Sequence, residues 1–112
     1  MDDHCILELC DPSGLPVGHA IRLAREVSRV EPALASTLGA YICHLAGTST
    51  ADLPTMLRAL ELLYAISDAR GFAATCRRVE EEGTPIASAL VRWLASGVPR
   101  RFARMQASGM AA

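Results

Sequence analysis

The sequence predicts an all-α fold, a small bundle of four to five helices. Three observations carry this. The hydrophobic fraction is 51%, yet aromatics make up only 4%, and alanine and leucine outnumber valine and isoleucine, which favours helix over strand. Apolar residues recur at helical spacing through most of the chain. The segments between those runs are short and marked by proline and glycine.

The 112 residues fit one domain with a small core. The expected layout is a flexible N-terminal arm over 1–14, one helical domain over 15–99, and a basic, mostly flexible tail over 100–112. In the arm, Cys5 to Cys10 reads equally as a short strand or as one turn of helix. Asp11-Pro12-Ser13-Gly14 then ends it.

The first clear helix spans about Pro16 to Val30, with proline suited to its first turn. Val17, Ala20, Ile21, Ala24 and Val27 share one face. Glu31-Pro32 separates it from the next, because the residue before a proline is pushed out of helical geometry. The second helix, about Pro32 to Ala46, places Leu34, Leu38, Tyr41, Ile42 and Leu45 together, and Gly47 suits its end. A polar linker, Thr48-Ser49-Thr50, leads to Asp52; Ser49 has capping-box spacing to Asp52, which is itself a candidate cap.

Asp52 to Gly83 is the longest helical run. Leu53, Met56, Leu57, Leu60, Leu63 and Tyr64 form one face. Leu62 and Ile66 fall nearly opposite, beside Ala59 and Ala69. Arg58, Glu61 and Asp68 make the polar edge between them. A helix with two apolar faces is either enclosed by neighbours or shared with a partner. Gly71 is the expected break, since a mid-helix glycine costs about 1 kcal/mol relative to alanine. A shorter helix with Phe72, Cys76 and Val79 follows and ends at Glu80-Glu81-Glu82-Gly83. Thr84-Pro85 then starts a last helix, with Ile86, Leu90, Trp93 and Leu94 expected on its inner side and Gly97-Val98-Pro99 at its end.

Charge excludes some functions. The net charge is −1, so no global field draws the chain to nucleic acid or to an anionic membrane. All eleven basic residues are arginines, an association with GC-rich bacterial coding. Before Thr50 three arginines face six acids; from there on eight face six. No acid follows Glu82, so Arg92, Arg100, Arg101 and Arg104 form a local basic patch. The N-terminus is acidic and lacks a signal-peptide pattern, and no apolar stretch is long enough to span a bilayer. A cytoplasmic protein with reduced thiols is therefore expected.

No motif fixes a reaction. His4, Cys5 and Cys10, and separately Cys43 and His44, lack the paired spacing of zinc ligands. Cys43 and His44 are adjacent and diverge on a helix, and Cys76 with His19 or His44 has no orienting third group in view. There is no nucleophile elbow and no phosphate-binding glycine loop. No catalytic residue, metal or cofactor is assigned.

Residues 60 to 104 resemble, in spacing, the winged helix-turn-helix of the LysR-type regulators. Leu60, Leu63, Ile66, Phe72, Val79, Ile86, Leu90 and Phe102 fall near that family's apolar positions. Gly97-Val98-Pro99 and Arg104 resemble the start of its wing. The resemblance implies DNA contacts from Thr84, Ser88, Arg92, Arg100, Arg101 and Arg104. The sequence departs from the family at Thr75 and Cys76, where it has paired alanines, and at Glu82 to Ala87, the start of its recognition helix.

The favoured expectation is protein binding. Ala59, Leu62, Ile66 and Ala69 make a strip suited to close helix packing, as a homodimer interface or a partner site. The concrete form is a non-enzymatic regulator, an anti-activator covering the surface of a bacterial transcription factor. A direct DNA-binding regulator and a small secretion-type chaperone are the alternatives.

Overall fold

A computed structural model describes residues 3–48 and 52–94, with side chains described from Cys5. The order is α1 Asp3–Cys10, α2 Val17–Val30, α3 Leu34–Ala46, α4 Leu53–Ile66 and α5 Ala69–Glu82, then α6 over 85–94. The described residues are all-α, with no strand among them. No helix among them is long and apolar enough to cross a membrane.

Helix α4 is the centre of the bundle. It packs against α1, α2, α3 and α5. Met56, Ala59, Leu60, Leu62 and Leu63 are all buried, so both of its apolar faces lie in the core. Helix α2 packs on α4, and its Ala20 and Ala24 are buried; side chains this small let helices approach closely. Leu34, Leu38 and Ile42 close the core from α3.

Residues 3–10 differ from the expected arm. They form α1, and Ile6, Leu9 and Cys10 are buried where this helix lies on α4. The spacing of those three, i, i+3 and i+4, is one helical stripe. An eight-residue helix is marginal by itself, so it is packing that keeps α1 helical. The described residues thus form a small all-α bundle, with six helices among them. The tail over 100–112 lies outside the described residues, as does Ser49 of the expected capping box.

The break in the long central run falls at Ser67-Asp68, earlier than Gly71. Asp68 is the N-cap of α5, and its carboxylate Oδ1 accepts the Gly71 N–H at 2.7 Å. That bond satisfies one of the orphan donors of the first turn. A Cβ on Gly71 would sit 3.0 Å from the same oxygen, so the glycine makes room for the cap. The corner is held by Tyr64 and Phe72, stacked edge to face with centroids 5.2 Å apart. At the start of α4, Asp52 makes no cap bond to the backbone; its carboxylate instead accepts the Thr55 hydroxyl at 2.8 Å.

The link from α5 to α6 is tight and positions the last helix. Gly83 N–H donates to the Val79 carbonyl at 2.8 Å, and Thr84 N–H donates to the Ala46 carbonyl, also at 2.8 Å. A Cβ at Gly83 would lie 2.5 Å from the Val79 oxygen and 3.2 Å from Ala46 Cβ, so no larger residue fits there without backbone movement. Thr84 Oγ1 accepts the Ala87 N–H at 3.3 Å. The predicted threonine cap therefore forms, and α6 starts against the end of α3.

Candidate protein-binding surface

The four residues expected to form one interface strip do not share a surface. Ala59 is 0% exposed and Leu62 1%. Ile66 is half-buried against the core, and Ala69 is exposed at the start of α5. The cover comes from the chain itself, since α1, α2 and α3 close around α4. A homodimer or partner contact through Ala59 and Leu62 is thus corrected: these two are core. The expected polar edge of α4 is buried as well, with Arg58 and Glu61 each 8% exposed.

Helix α6 carries a second apolar stripe that is partly exposed. Its inner side is Ala87, Val91 and Leu94, all buried. Stepping about 100° per residue, these three fall within one narrow stripe. Ile86, Leu90 and Trp93 fall on another, about a quarter-turn round the helix. Ile86 is 64% exposed and Trp93 55%, with Leu90 half-buried and Ala89 exposed beside them. This corrects the expected inner set of Ile86, Leu90, Trp93 and Leu94, of which Leu94 alone is fully buried. The link at Gly83-Thr84 fixes where α6 starts, and the small Ala87 is the residue turned inward there.

Of the positions implied for DNA contact, Thr84 and Ser88 are half-buried and Arg92 is exposed. The Thr84 hydroxyl is engaged in the cap. Ile86, an inner position in the winged helix-turn-helix register, points outward. Arg100, Arg101 and Arg104, with the rest of the wing, lie outside the described residues. Glu80, Glu81 and Glu82 are exposed just before α6, and Glu82 meets Arg78 at 3.7 Å in a solvated i,i+4 pair.

A second apolar feature is an open cleft of about 430 Å³ between α1 and α3, lined by Ile6, Leu7, Thr37, Ala40 and Tyr41. Its volume is in the range of small-ligand sites, but no charged side chain lines it. The Thr37 hydroxyl is turned away, donating to the Ala33 carbonyl at 3.0 Å. Tyr41 carries the other polar side-chain group of the lining.

The cysteines are free thiols, and three are held in the protonated form. Burial pushes Cys10 up from 9.0 to about 12, against a smaller opposing pull from Arg58. Burial also raises Cys76 to about 11, with Glu80 adding to the shift, and raises Cys43. A nucleophile or metal ligand needs the thiolate, and these environments disfavour it. Among the described residues no three His, Cys, Asp or Glu side chains converge as a metal site.

The Cys10 environment predicts an alkaline instability. A thiol whose folded pKa lies above its unfolded one stabilises the protein fully below the unfolded value. That contribution is lost as pH rises from 9.0 towards about 12, because the unfolded chain ionises first. The urea midpoint should therefore fall between about pH 8 and pH 10.5. Cys10→Ala should flatten that fall; an unchanged pH dependence in the variant counts against the assignment.

No protein-family model, curated protein or solved structure matches this chain. The functional reading rests on its own residues.

Proposed function

We propose that this protein acts by binding another protein, through the outward face of α6, and not by catalysis. The observation that carries the reading is the pair Ile86 and Trp93, both exposed, two turns apart on one face of a helix whose other face is closed into the core. Single exposed apolar residues are ordinary on a protein surface. A tryptophan and an isoleucine on one ridge are the kind of anchor that dominates binding energy at interfaces. Helix recognition by anchors at i and i+7 is a recurrent mode.

Burial of Cys10 and Cys76 disfavours the thiolate that a cysteine nucleophile would need. The narrower form, an anti-activator that covers a transcription factor, is supported by size and fold class alone. Direct DNA binding through α6 has less support: Thr84 is committed to its cap, and three exposed glutamates precede the helix, where phosphates repel them.

The test is site-specific photo-crosslinking in the host. Ala89, exposed on the same ridge, is replaced by p-benzoylphenylalanine in the full chain. A discrete covalent adduct that disappears with Ile86→Glu is the expected result. No adduct, or one that Ile86→Glu leaves unchanged, rules out this face as the binding surface.

A further inference from the structure

We propose that α1, together with the loop after it, is a displaceable lid on α4. It swings off as a unit about Leu15-Pro16 while α2 to α6 stay folded, and so uncovers an apolar side of the central helix. The lid is independent of the α6 face.

The first argument is how little holds α1. Eight residues are too few for a helix to persist alone, and its buried stripe is Ile6, Leu9 and Cys10. The flank toward α3 is not sealed. Leu7 is 53% exposed, and the open cleft separates Ile6 and Leu7 from Thr37, Ala40 and Tyr41. Elements with sparse apolar contact and an exposed surround open first.

The second argument is what stays behind. The most extensive helix contacts, α2 with α4 and α3 with both α4 and α5, do not involve α1. Leu38, Ile42, Leu60 and Val79, all buried in the core, belong to those other helices. A packed body therefore remains when α1 leaves. What it exposes is the side of α4 that α1 covers, within a stretch where Met56, Ala59, Leu60, Leu62 and Leu63 are buried.

The loop supplies the pivot. The Asp11 N–H donates to the Glu8 carbonyl at 3.3 Å, and the Gly14 N–H to the Asp11 carbonyl at 3.1 Å. Ser13 donates to the Asp11 carboxylate from its N–H at 3.0 Å and from its hydroxyl at 2.7 Å. These bonds lie within residues 8–14, so they travel with α1 and need not break. A bond that must break is the one from Arg58 Nη1 to the Leu15 carbonyl, 2.8 Å. It sits just before α2 begins at Val17, so Arg58 latches the lid.

Cys10 reports the opening. It is 0% exposed, and its thiol is held protonated, so alkylation requires the open form. The experiment is pulsed iodoacetamide labelling of the full chain across a urea series, with peptide mass spectrometry locating the adduct. Amide exchange at Ile42 reports global unfolding in the same samples. Cys10 should be labelled at least about tenfold faster than global unfolding allows, with a shallow urea dependence at low urea. Labelling that follows the Ile42 amide in rate and in urea slope overturns the inference. Leu9→Asp removes the docking side of α1. It should bring Cys10 within about tenfold of its rate in the urea-unfolded chain, while amides in α3 and α4 stay protected. A Leu9→Asp chain that is unfolded throughout overturns the inference, as does one whose Cys10 stays inert.

Discussion

Leu62→Glu is expected to unfold the protein and not to dissociate an assembly. Leu62 is 1% exposed at the centre of α4, and the substituted carboxylate would have no solvent. Burying an unpaired charge belongs to the small class of changes that cost more than about 4 kcal/mol. A domain of this size has about 5–15 kcal/mol in total. The expected readout is loss of far-UV helical signal, or a urea midpoint moved far down, at every protein concentration. The neighbouring positions make the test internal. Ile66→Glu, at a half-buried site, should cost less. Ala69→Glu should be near neutral, since Ala69 is exposed in the first turn of α5, where an acid complements the helix dipole. A graded series from 62 through 66 to 69 is the signature of core giving way to surface. A variant at Leu62 that stays helical but changes molecular mass would show that α4 faces a partner after all.

That series turns on how α4 is covered, and here the limits of the sequence are instructive. The two apolar faces of α4 were legible from periodicity alone. What covers them was not, because burial belongs to the whole fold. The decisive element was α1. The turn signals at Pro12 and Gly14 made residues 1–14 read as an arm, although Ile6, Leu9 and Cys10 already had helical spacing. With α1 set aside, one side of α4 looked uncovered and Ala59 and Leu62 looked available to a partner. With α1 in place, they are core.

The break at Ser67-Asp68 shows a similar competition. The propensity cost of Gly71 suggested that the chain bends there. The cap formed by Asp68 decides otherwise, and glycine at the third position of α5 serves that cap. At α6 the start was legible from Thr84-Pro85, but its rotation was not. Two apolar stripes compete on that helix, and the larger side chains marked the wrong one as inner. The signal present in the sequence was that Ala87, Val91 and Leu94 also fit a helical stripe; alanine carries little weight in such a reading, yet the close contact at Gly83 and Ala46 favours a small residue. Two of the large apolar side chains left exposed, Ile86 and Trp93, thus lie on α6.

Arg58→Ala is expected to be the second most damaging change, by about 2–4 kcal/mol. Arg58 is only 8% exposed, and its Nη1 donates to the Leu15 carbonyl at 2.8 Å. Leu15 lies in the loop joining α1 to α2, where that carbonyl has no place in a helical ladder. The side chain is buried, so its stem contributes apolar contact as well as its charge. The guanidinium ties the loop, and through it α1, onto the central helix. Its positive charge also reaches this corner, acting in the lowering direction on both Cys10 and Asp11. Removing it leaves a desolvated carbonyl and an unfilled space. Arg58→Met keeps most of the stem and should recover part of the loss; Arg58→Lys keeps the charge but not the fixed fork of donors, and should fall between the two. Denaturation midpoints give the global cost, and amide exchange gives its location. Protection in α1 should drop more than protection in α3, because an eight-residue helix depends on being held. If Arg58→Ala stays within about 0.5 kcal/mol of the wild type, the loop is held by the apolar contacts of Ile6, Leu9 and Cys10 alone, and the arginine is a passenger in the core.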